Sequence, residues 1–442
     1  MHHADCLDWL RSLDECSVDA CVTDPPYGLG KPPPIRDVLS AWLDGERYQA
    51  SGGGFMGRAW DAFVPGPTVW SELYRALKPG AHAVVFAGSR TSDVMGVALR
   101  LAGFEVRDSI GWVYYSGFPK SADISKHIDR LHGAEREVIA RGCSGRTAIG
   151  TAGPAYGGTD GTYGHDITAP ATPDAAKWAG YGTALKPCIE PAWLVRKPLS
   201  ESSIAKNVLR WGTGAINVDA CRFAPGDPIW IGPNDAGAGT RCTNRGPDGQ
   251  CRGHRNAGQS TSGETFHGPD TAPSGRWPAN LVYFPKASTA EREAGCDGLP
   301  VWSGADLCRD RENKGANSPR AGAGRTSDGR HNNHPTVKPI GLMRWLCRLV
   351  GGQPGSLVID PYAGSGTTGI AATLEGFEFE GCELNNCDGP PPQRFVDIAR
   401  ARIAYWSHHG ADALDAYRKA RAARQAHAAR VAAGQVGLFA DL

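Results

Sequence analysis

The chain has little net charge and no long apolar run. Its 442 residues include 47 Lys and Arg against 46 Asp and Glu, so the formal net charge at pH 7 is +1. A strongly basic nucleic-acid-binding chain has a large positive balance, and the near-zero total argues against that class. No window reaches the roughly 18 uncharged apolar residues of a membrane span, so we expect no transmembrane segment.

A secretory signal and a regular cysteine framework are also missing. The first residues, Met-His-His-Ala-Asp, lack the basic and apolar stretches of such a signal. The 13 cysteines are an odd number and are scattered along the chain, without the density of a small secreted scaffold. We therefore expect reduced thiols and a cytoplasmic protein.

Glycine and proline, in contrast, are abundant, with 58 and 32 residues. Their sum stays below the roughly 25–30% of low-complexity chains, which predicts a globular chain with loop-rich parts. The charge is also unevenly distributed. Residues 1–118 and 334–392 have net charges of −4 and −3, whereas residues 119–333 and 393–442 have +4 each. This asymmetry indicates an anionic partner for the basic segments, although chance variation between windows would also produce it.

Strand and helix patterns alternate in two parts of the chain. Val18–Thr23 is a short β-branched run, and Ala81–Ala87 is an apolar run typical of a strand covered on both faces. The predicted helices are 69–77, 92–102, 341–350, 367–374 and 395–433, and further strands are predicted at 104–115, 190–196, 356–360 and 377–383. This alternation predicts an α/β fold with a mostly parallel sheet. The rest of 116–333 is irregular, which is typical of a functional or disordered insertion.

A glycine turn follows one of these strands. Residues 357–369 read Leu-Val-Ile-Asp-Pro-Tyr-Ala-Gly-Ser-Gly-Thr-Thr-Gly, a strand, a turn and the start of a helix. Glycines let a ligand approach the backbone, and the helix N-terminus offers free N–H groups. Glu383 ends the next strand, where a carboxylate can accept hydrogen bonds from ribose hydroxyls. The glycine spacing matches the dinucleotide fingerprint, with a tight turn that binds nothing as the plain alternative.

Asp360, at the end of that strand, discriminates between ligands for the loop. A carboxylate there would repel a pyrophosphate, which disfavours a nicotinamide dinucleotide. It suits a ligand with a positive amine and no phosphate. S-adenosylmethionine, which carries an ammonium, a sulfonium and an adenosine, is such a ligand.

A stiff acidic turn follows the first strand. Residues 24–27 read Asp-Pro-Pro-Tyr, and the two prolines fix φ and remove two donors. The Asp24 carboxylate and the Pro25 carbonyl can accept the two hydrogens of an exocyclic nucleobase amine, while Tyr27 stacks on the base. An amine held in this way is placed for attack on a methyl group, a reaction that depends on positioning. A plain Asp-Pro turn with a packed tyrosine is the alternative.

Three motifs in their order resemble a known family. Asp-Pro-Pro-Tyr at 24–27, His-Pro-Thr-Val-Lys-Pro at 334–339 and Asp-Pro-Tyr-Ala-Gly-Ser-Gly-Thr-Thr at 360–368 are similar to motifs of DNA amino-methyltransferases. These enzymes methylate adenine N6 or cytosine N4 with S-adenosylmethionine and include members of restriction-modification systems. The catalytic motif stands first and the cofactor loop last, as in their circularly permuted β class. Segments 116–120 and 211–214 look like those of phage-type members.

The resemblance implies a Rossmann-like methyltransferase fold with a large irregular target-recognition insertion, and DNA with a flipped base as substrate. It assigns residues 1–120 to a catalytic half, 121–333 to the insertion, with about 186–198 returning to the sheet, 334–405 to an S-adenosylmethionine-binding half and 406–442 to a basic helical tail. The implied catalytic residues are Asp24, Pro25, Pro26 and Tyr27. The implied cofactor-binding residues are Asp5, Cys6, Thr336, Lys338, Asp360, Tyr362, Ala363, Gly364, Ser365, Gly366, Thr367 and Glu383.

Among the implied cofactor residues, Asp360 is expected to hold the amino group and Glu383 the ribose. Thr336 and Lys338 are expected near the carboxylate of the cofactor. The chain departs from the family pattern after Glu383-Leu384, where the family runs directly into a helix. Here residues 385–394 form an insertion with three prolines.

Segments outside the three motifs supply further candidates. Residues 53–60 are a candidate flap over the flipped base. The candidate phosphate contacts, with a solvated loop as the alternative, are Arg241, Arg245, Arg252 and Arg255. Cys242, Cys251 and His254 lack a paired Cys-x₂-Cys spacing and need a fourth ligand from Cys221, His267 or elsewhere, so no metal site is predicted.

The C-terminal segment Gln-Val-Gly-Leu-Phe resembles the short peptide that binds sliding clamps, through Gln435, Leu438 and Phe439. It follows a basic helix, and a frayed terminus is the plain alternative. The sequence leaves open whether the chain acts as a homodimer.

The resemblance favours adenine N6 as the target, because in this family a tetrapeptide that opens with Asp rather than Ser is typical of adenine-specific members. Cytosine N4, through the same chemistry, is the nearest alternative. A protein-glutamine methyltransferase is disfavoured by Asp24 and the basic insertion, and a non-enzymatic DNA-binding protein by the intact motifs. A dehydrogenase is disfavoured by Asp360.

Overall fold

A computed structural model of the chain describes residues 1–50, 59–117, 121–143, 164–223, 277–302, 329–384 and 394–432. They belong to two compact units. The larger comprises Met1–Tyr114 and Ile189–Leu442, and the smaller comprises Tyr115–Cys188.

The larger unit is built on a seven-stranded sheet. In chain order its strands are β1 (Val18–Thr23), β2 (Leu77–Phe86), β3 (Glu105–Val113), β6 (Ile189–Arg196), β7 (Leu281–Tyr283), β8 (Leu357–Asp360) and β9 (Glu378–Gly381). Their order across the sheet is β7-β3-β6-β2-β1-β8-β9. Within this sheet β6 runs antiparallel to both its neighbours, and the other described pairs are parallel. The predicted α/β fold with a mostly parallel sheet is confirmed.

Helices cover both faces of the sheet. The helices of the larger unit are α1 (Cys6–Ser12), α2 (Ile35–Leu43), α3 (Pro67–Ala76), α4 (Ser92–Leu101), α7 (Ile204–Trp211), α8 (Thr289–Glu293), α9 (Ile340–Val350), α10 (Thr367–Leu374), α11 (Phe395–His409) and α12 (Ala413–Ala432). Along β2, Ala83 and Val85 pack in one cluster with α1, α3 and α4, whereas Val84 and Phe86 pack in another with α9 and α10. Burial on both faces explains why the central strands read as apolar runs instead of alternating patterns.

The start of β2 differs from the sequence prediction. The strand was predicted to begin at Ala81, after a helix that ends at residue 77, yet it already begins at Leu77. Gly80 has a φ of +80°, and its N–H donates to the Lys197 carbonyl at 3.0 Å. The Pro79 carbonyl accepts from the Asn207 amide at 2.8 Å and from the Thr213 hydroxyl at 2.6 Å. Side chains thus satisfy the backbone where a proline and a glycine interrupt the strand ladder.

The C-terminal helix also differs from its prediction. A single helix over 395–433 was expected, and the structure divides it into α11 and α12 around a short 3-10 turn at Gly410–Asp412. Gly410 has a φ of +56° and a ψ of −131°, a backbone conformation that favours glycine, and it ends α11. The Tyr405 hydroxyl donates to the Ala413 carbonyl at 3.0 Å and so connects the two helices.

The smaller unit holds α5 (Ile124–Leu131), α6 (Pro173–Lys177) and an antiparallel pair, β4 (Val138–Cys143) with β5 (Gly164–Thr168). Its centre is the buried Asp129, which accepts hydrogen bonds from Arg136, from the Thr172 hydroxyl and from the N–H groups of residues 171 and 172. Within 121–333, the described residues from 189 onward belong to the larger unit, including β6, which was expected to return to the sheet.

None of the helices in the described parts of the chain is both long enough and apolar enough to cross a membrane.

Candidate active site

Two adjacent strands bring the catalytic motif and the glycine loop to one edge of the sheet. β1 and β8 run parallel, with Cys21 opposite Ile359, so that their carboxyl ends coincide. Asp24 follows the last residue of β1, and Asp360 is the last residue of β8. The Thr23 hydroxyl donates to Asp360 Oδ1 at 2.6 Å and connects the two strand ends. Parallel α/β sheets bind ligands at this edge.

Asp360 is a buried carboxylate with one hydrogen-bond acceptor site that the described residues do not occupy. Besides Thr23, the Thr368 hydroxyl donates to it at 2.6 Å and the Tyr362 N–H at 2.9 Å. Burial raises its pKa to about 6, against the lowering effect of these donors. A carboxylate offers about four acceptor sites, and the described residues occupy three of them. One further donor, such as an amine, can therefore be accommodated.

The glycine loop depends on residues without a Cβ. Gly364 and Gly366 have φ of +51° and +80°, where other residues are strained. A Cβ on Gly364 would lie 2.7 Å from His334 Nε2, and one on Gly366 would lie 2.9 Å from the Cα of Ala399. The Gly364 N–H donates to Glu383 Oε2 at 2.9 Å. The loop and the predicted ribose-binding carboxylate are thus in direct contact.

A buried arginine, Arg402 of α11, holds the glycine loop through hydrogen bonds to Ser365. Its guanidinium donates to the Ser365 carbonyl at 2.5 Å, to the Ser365 hydroxyl at 3.0 Å and to the Glu291 carbonyl at 2.8 Å. Sequence reasoning missed this residue among the arginines of the predicted C-terminal helix. The available signal is its spacing, since it follows the buried Ile398 and Ala399 on the apolar face of the helix.

The start of α1 lies beside the same loop. Asp5 caps this helix, and its carboxylate accepts from the Leu7 N–H at 2.9 Å. The Cys6 thiol donates to the Tyr362 hydroxyl at 3.2 Å. Burial raises the pKa of Cys6 to about 11, which keeps it a neutral thiol. The structure thus brings Cys6 to the loop, and gives Asp5 a capping contact. Their predicted cofactor-binding roles stay predictions.

The catalytic motif is part of a ring of four polar side chains. The Tyr27 hydroxyl donates to Asp24 Oδ1 at 2.7 Å and lies 3.2 Å from Glu190 Oε2. The Lys338 ammonium bonds Asp24 Oδ2 and lies 3.4 Å from Glu190 Oε2. The rings of Tyr27, Phe86 and Trp112 surround this ammonium, with centroids 5.3, 5.0 and 6.0 Å from Nζ.

Burial dominates the electrostatics of this ring. It raises the pKa of Asp24, an effect that Lys338 opposes and Glu190 reinforces. The pKa of Lys338 is raised as well, because the two carboxylates outweigh the effect of burial on the ammonium. The Lys338 side chain is 7% exposed, compared with 17% for Asp24 and 19% for Glu190. A ligand can therefore reach the carboxylates, while the ammonium remains a fixed internal charge.

This arrangement gives Lys338 partners that the sequence did not indicate. The resemblance placed it near the cofactor carboxylate, whereas in the structure its ammonium contacts Asp24 and Glu190. Thr336 is exposed, and its N–H donates to His334 Nδ1 at 3.4 Å. Glu190 was predicted only as a strand residue. The sequence signal that could have marked Glu190 as a site residue is a carboxylate at the start of a largely apolar strand.

A second missed residue, Asp61, positions the catalytic motif. Its carboxylate accepts from three consecutive N–H groups, those of Tyr27, Gly28 and Leu29, at 2.8, 3.0 and 3.1 Å. The Thr91 hydroxyl donates to the Tyr27 carbonyl at 2.6 Å. These bonds fix the backbone after Pro26, and the side chain of Asp61 is buried. A lone Asp in an irregular segment gave no sequence signal for this role.

Several predicted features lie outside the described residues. They are Arg241, Arg245, Arg252 and Arg255, the cysteines and histidines 242, 251, 254 and 267, the clamp-like peptide with Gln435, Leu438 and Phe439, most of the flap at 53–60, and the insertion at 385–393. Cys221 is described; it is buried, and its thiol donates to the Trp345 carbonyl at 3.6 Å.

Comparison with known proteins identifies the family. A family described as DNA methylase, of the N6/N4 type, matches residues 18–132 and 273–387, just over half of the chain. The chain therefore belongs to the N6/N4 DNA methylase family, which confirms the resemblance seen in the motifs. The phage-type and permuted-class assignments stay predictions.

Individual relatives match shorter regions. The DNA adenine methyltransferase YhdJ of Escherichia coli (strain K12) is 35% identical over 89 residues, which are 20% of this chain and 28% of that protein. The type II methyltransferase M.SmaI of Serratia marcescens is 39% identical over 70 residues, 16% of this chain and 21% of its own length. The solved structure of the cytosine-N4-specific PvuII DNA methyltransferase is 12% identical in sequence to this chain, with a TM-score of 0.40. The match covers 95% of this chain and 91% of that chain.

The contacts of Asp61 lead to a stability prediction. Asp61→Ala leaves three N–H groups without their acceptor, so we expect the free energy of unfolding to fall by about 2–4 kcal/mol. Urea unfolding monitored by tryptophan fluorescence measures this change. Asp44→Ala removes an exposed carboxylate just after α2 and is the matched control, expected to shift stability by less than about 0.5 kcal/mol. Equal stabilities of the two variants would contradict the role of Asp61.

Proposed function

We propose that this chain is an S-adenosylmethionine-dependent DNA methyltransferase that acts on adenine N6. The observation that carries the proposal is the meeting of two carboxylates with different surroundings, Asp24 and Asp360, at the ends of adjacent parallel strands. One is accessible beside a stiff Pro-Pro turn, and the other is buried beneath a glycine loop.

The residues around the loop fit the cofactor. Asp360 has an acceptor site left for its amino group, and Glu383, two residues after β9, has a carboxylate that can accept hydrogen bonds from the ribose. Gly364 and Gly366 let the loop pack closely against His334 and Ala399, which a Cβ at either position would meet. The bound cofactor supplies an electrophilic methyl group.

The residues after β1 fit the target amine. Within the described residues Asp24 accepts two hydrogen bonds, from Tyr27 and Lys338, so that about two acceptor sites remain. Asp24 and the Pro25 carbonyl can hold both hydrogens of the amine, and Asp61 keeps this backbone fixed. Removing a base from a duplex costs a few kcal/mol, which contacts elsewhere on DNA must offset.

Adenine is favoured over cytosine by two observations. Asp opens the tetrapeptide, and a relative with 35% identity over the matched region is named a DNA adenine methyltransferase. Cytosine N4 would use the same acceptors and is the second candidate. Phosphate contacts through Arg241, Arg245, Arg252 and Arg255, and a clamp tether through Gln435, Leu438 and Phe439, complete the proposal from sequence alone.

The target base can be determined directly. The intact chain is expressed in a host that lacks DNA methyltransferases, and its DNA is sequenced by a method that distinguishes N6-methyladenine from N4-methylcytosine. We expect N6-methyladenine, in a context that also reveals the recognition sequence. N4-methylcytosine alone would contradict the choice of base, and unmodified DNA would contradict the proposed activity.

Asp24 is expected to act on the base and not on the cofactor. Asp24→Asn keeps the shape but loses the charge, so methyl transfer should fall by roughly 100- to 1000-fold. Binding of S-adenosylhomocysteine, measured by calorimetry, should persist. Asp37→Asn, an exposed change in α2, is the control for both measurements. Wild-type transfer rates in the Asp24→Asn variant would refute the role.

The raised pKa of Asp360 predicts a pH dependence of cofactor binding. The ammonium of the ligand needs the ionised carboxylate, which is populated above the pKa of about 6 and is lost as the pH falls below it. The affinity for S-adenosylhomocysteine should therefore fall by about tenfold between pH 7.5 and pH 5. Calorimetric titration across this range checks it.

The control for that titration is Asp360→Asn, which cannot ionise. Its affinity should be weaker at pH 7.5 and nearly constant with pH. A variant that retains the wild-type pH dependence would show that another group is responsible.

A further inference from the structure

Glu190 lies at the catalytic motif but belongs to none of the three family motifs recognised in the sequence. It reaches the site from β6, across the sheet from the turn that carries Asp24. Its carboxylate is within 3.2 Å of the Tyr27 hydroxyl and 3.4 Å of the Lys338 ammonium. Both groups also bond Asp24. The Tyr27 hydroxyl and the Lys338 ammonium therefore each bridge the carboxylates of Asp24 and Glu190.

The Tyr27 hydroxyl is a single proton donor between two acceptors. It donates to Asp24 at 2.7 Å, and the longer 3.2 Å distance separates it from Glu190. A hydroxyl can pass its own proton to one neighbour while it takes a proton from the other. The geometry therefore permits a proton on Asp24 to be exchanged for one on Glu190 without a mobile water molecule.

The charge of the ring favours uptake of one proton. With every group ionised, the carboxylates of Asp24 and Glu190 and the ammonium of Lys338 sum to −1. Trp112, which is paired with Glu190 on β3, is not titratable and adds no charge. Buried sites favour neutrality, and one added proton makes this ring neutral.

The proposed reaction produces such a proton. As the amino nitrogen forms its bond to the methyl carbon, the carbon–sulfur bond breaks and its electron pair stays on sulfur. The nitrogen is then positively charged and carries one surplus hydrogen. Breaking that N–H bond returns its electron pair to nitrogen and releases one proton.

We propose that Glu190 is a second proton-accepting carboxylate of this site, reached from Asp24 through the hydroxyl of Tyr27. Asp24 accepts the proton from the methylated amine and passes it to the Tyr27 oxygen, while the Tyr27 hydroxyl gives its own proton to Glu190. Lys338 holds both carboxylates in place throughout. This inference rests on the proposed methyltransferase function, and Glu190 acts through Tyr27 without touching the substrate.

The test is the pH dependence of single-turnover methyl transfer from labelled S-adenosylmethionine to chromosomal DNA of a methylation-free host. Glu190→Gln should lower the rate at pH 7.5 by roughly 100-fold, as expected for a positioned proton acceptor. The acid limb of its pH–rate profile should also move to lower pH, because the charge of Glu190 raises the pKa of Asp24. Glu378→Gln, an exposed change at the start of β9, is the matched control and should match the wild type.

A second variant separates the relay from a structural role. Tyr27→Phe keeps the ring and removes the bridging hydroxyl, so it should slow transfer by a factor similar to Glu190→Gln. Because both act on one path, the double variant should be little slower than either single variant. If Glu190→Gln does not fold, as judged by circular dichroism, the rate of Tyr27→Phe decides alone.

Three results would overturn the inference: a wild-type rate in Tyr27→Phe, independent and multiplying losses in the double variant, or a slower Glu190→Gln variant whose acid limb has not moved. An inactive wild type would instead refute the proposed function. The two failures are therefore distinguishable in one set of measurements.

Discussion

The pairing of β1 with β8 is the constraint on which the site depends. These strands come from opposite ends of the chain, yet the Thr23 hydroxyl bonds the carboxylate that ends β8 at 2.6 Å. A shift of one residue in their register would turn Asp360 to the other face of the sheet and separate it from Thr23. The cores on both faces, which share alternate residues of β1 and β2, oppose such a shift.

Sequence reasoning located the parts whose signal is local. β1 and α10 have the predicted bounds, and the other strands of the sheet core begin and end within a few residues of their predictions. Strong periodicity and turn residues determine such elements. The glycine loop was recognisable for the same reason, since Gly364 and Gly366 adopt backbone angles that other residues avoid.

Residues that act through long-range contacts were not recognisable. Glu190, Asp61 and Arg402 lie in a strand, an irregular segment and an Arg-rich helix, where nothing adjacent in sequence marks them. Their partners are distant residues, so that their roles arise only when the sheet is assembled. Lys338 shows the same limit, because the motif identified the residue while its contacts with Asp24 and Glu190 required the fold.

The place where the chain leaves and rejoins the sheet has a consequence for the Tyr115–Cys188 unit. β3 ends at Val113 and β6 begins at Ile189, and these two residues are paired with each other in the ladder. The Tyr115–Cys188 unit is thus inserted between two strand ends that are neighbours in the sheet. The entropy cost of bringing these ends together grows only logarithmically with the length of the insertion. This inserted unit can be exchanged for another in protein engineering, because the register of the sheet is set by the pairing of β3 with β6 and not by the inserted residues.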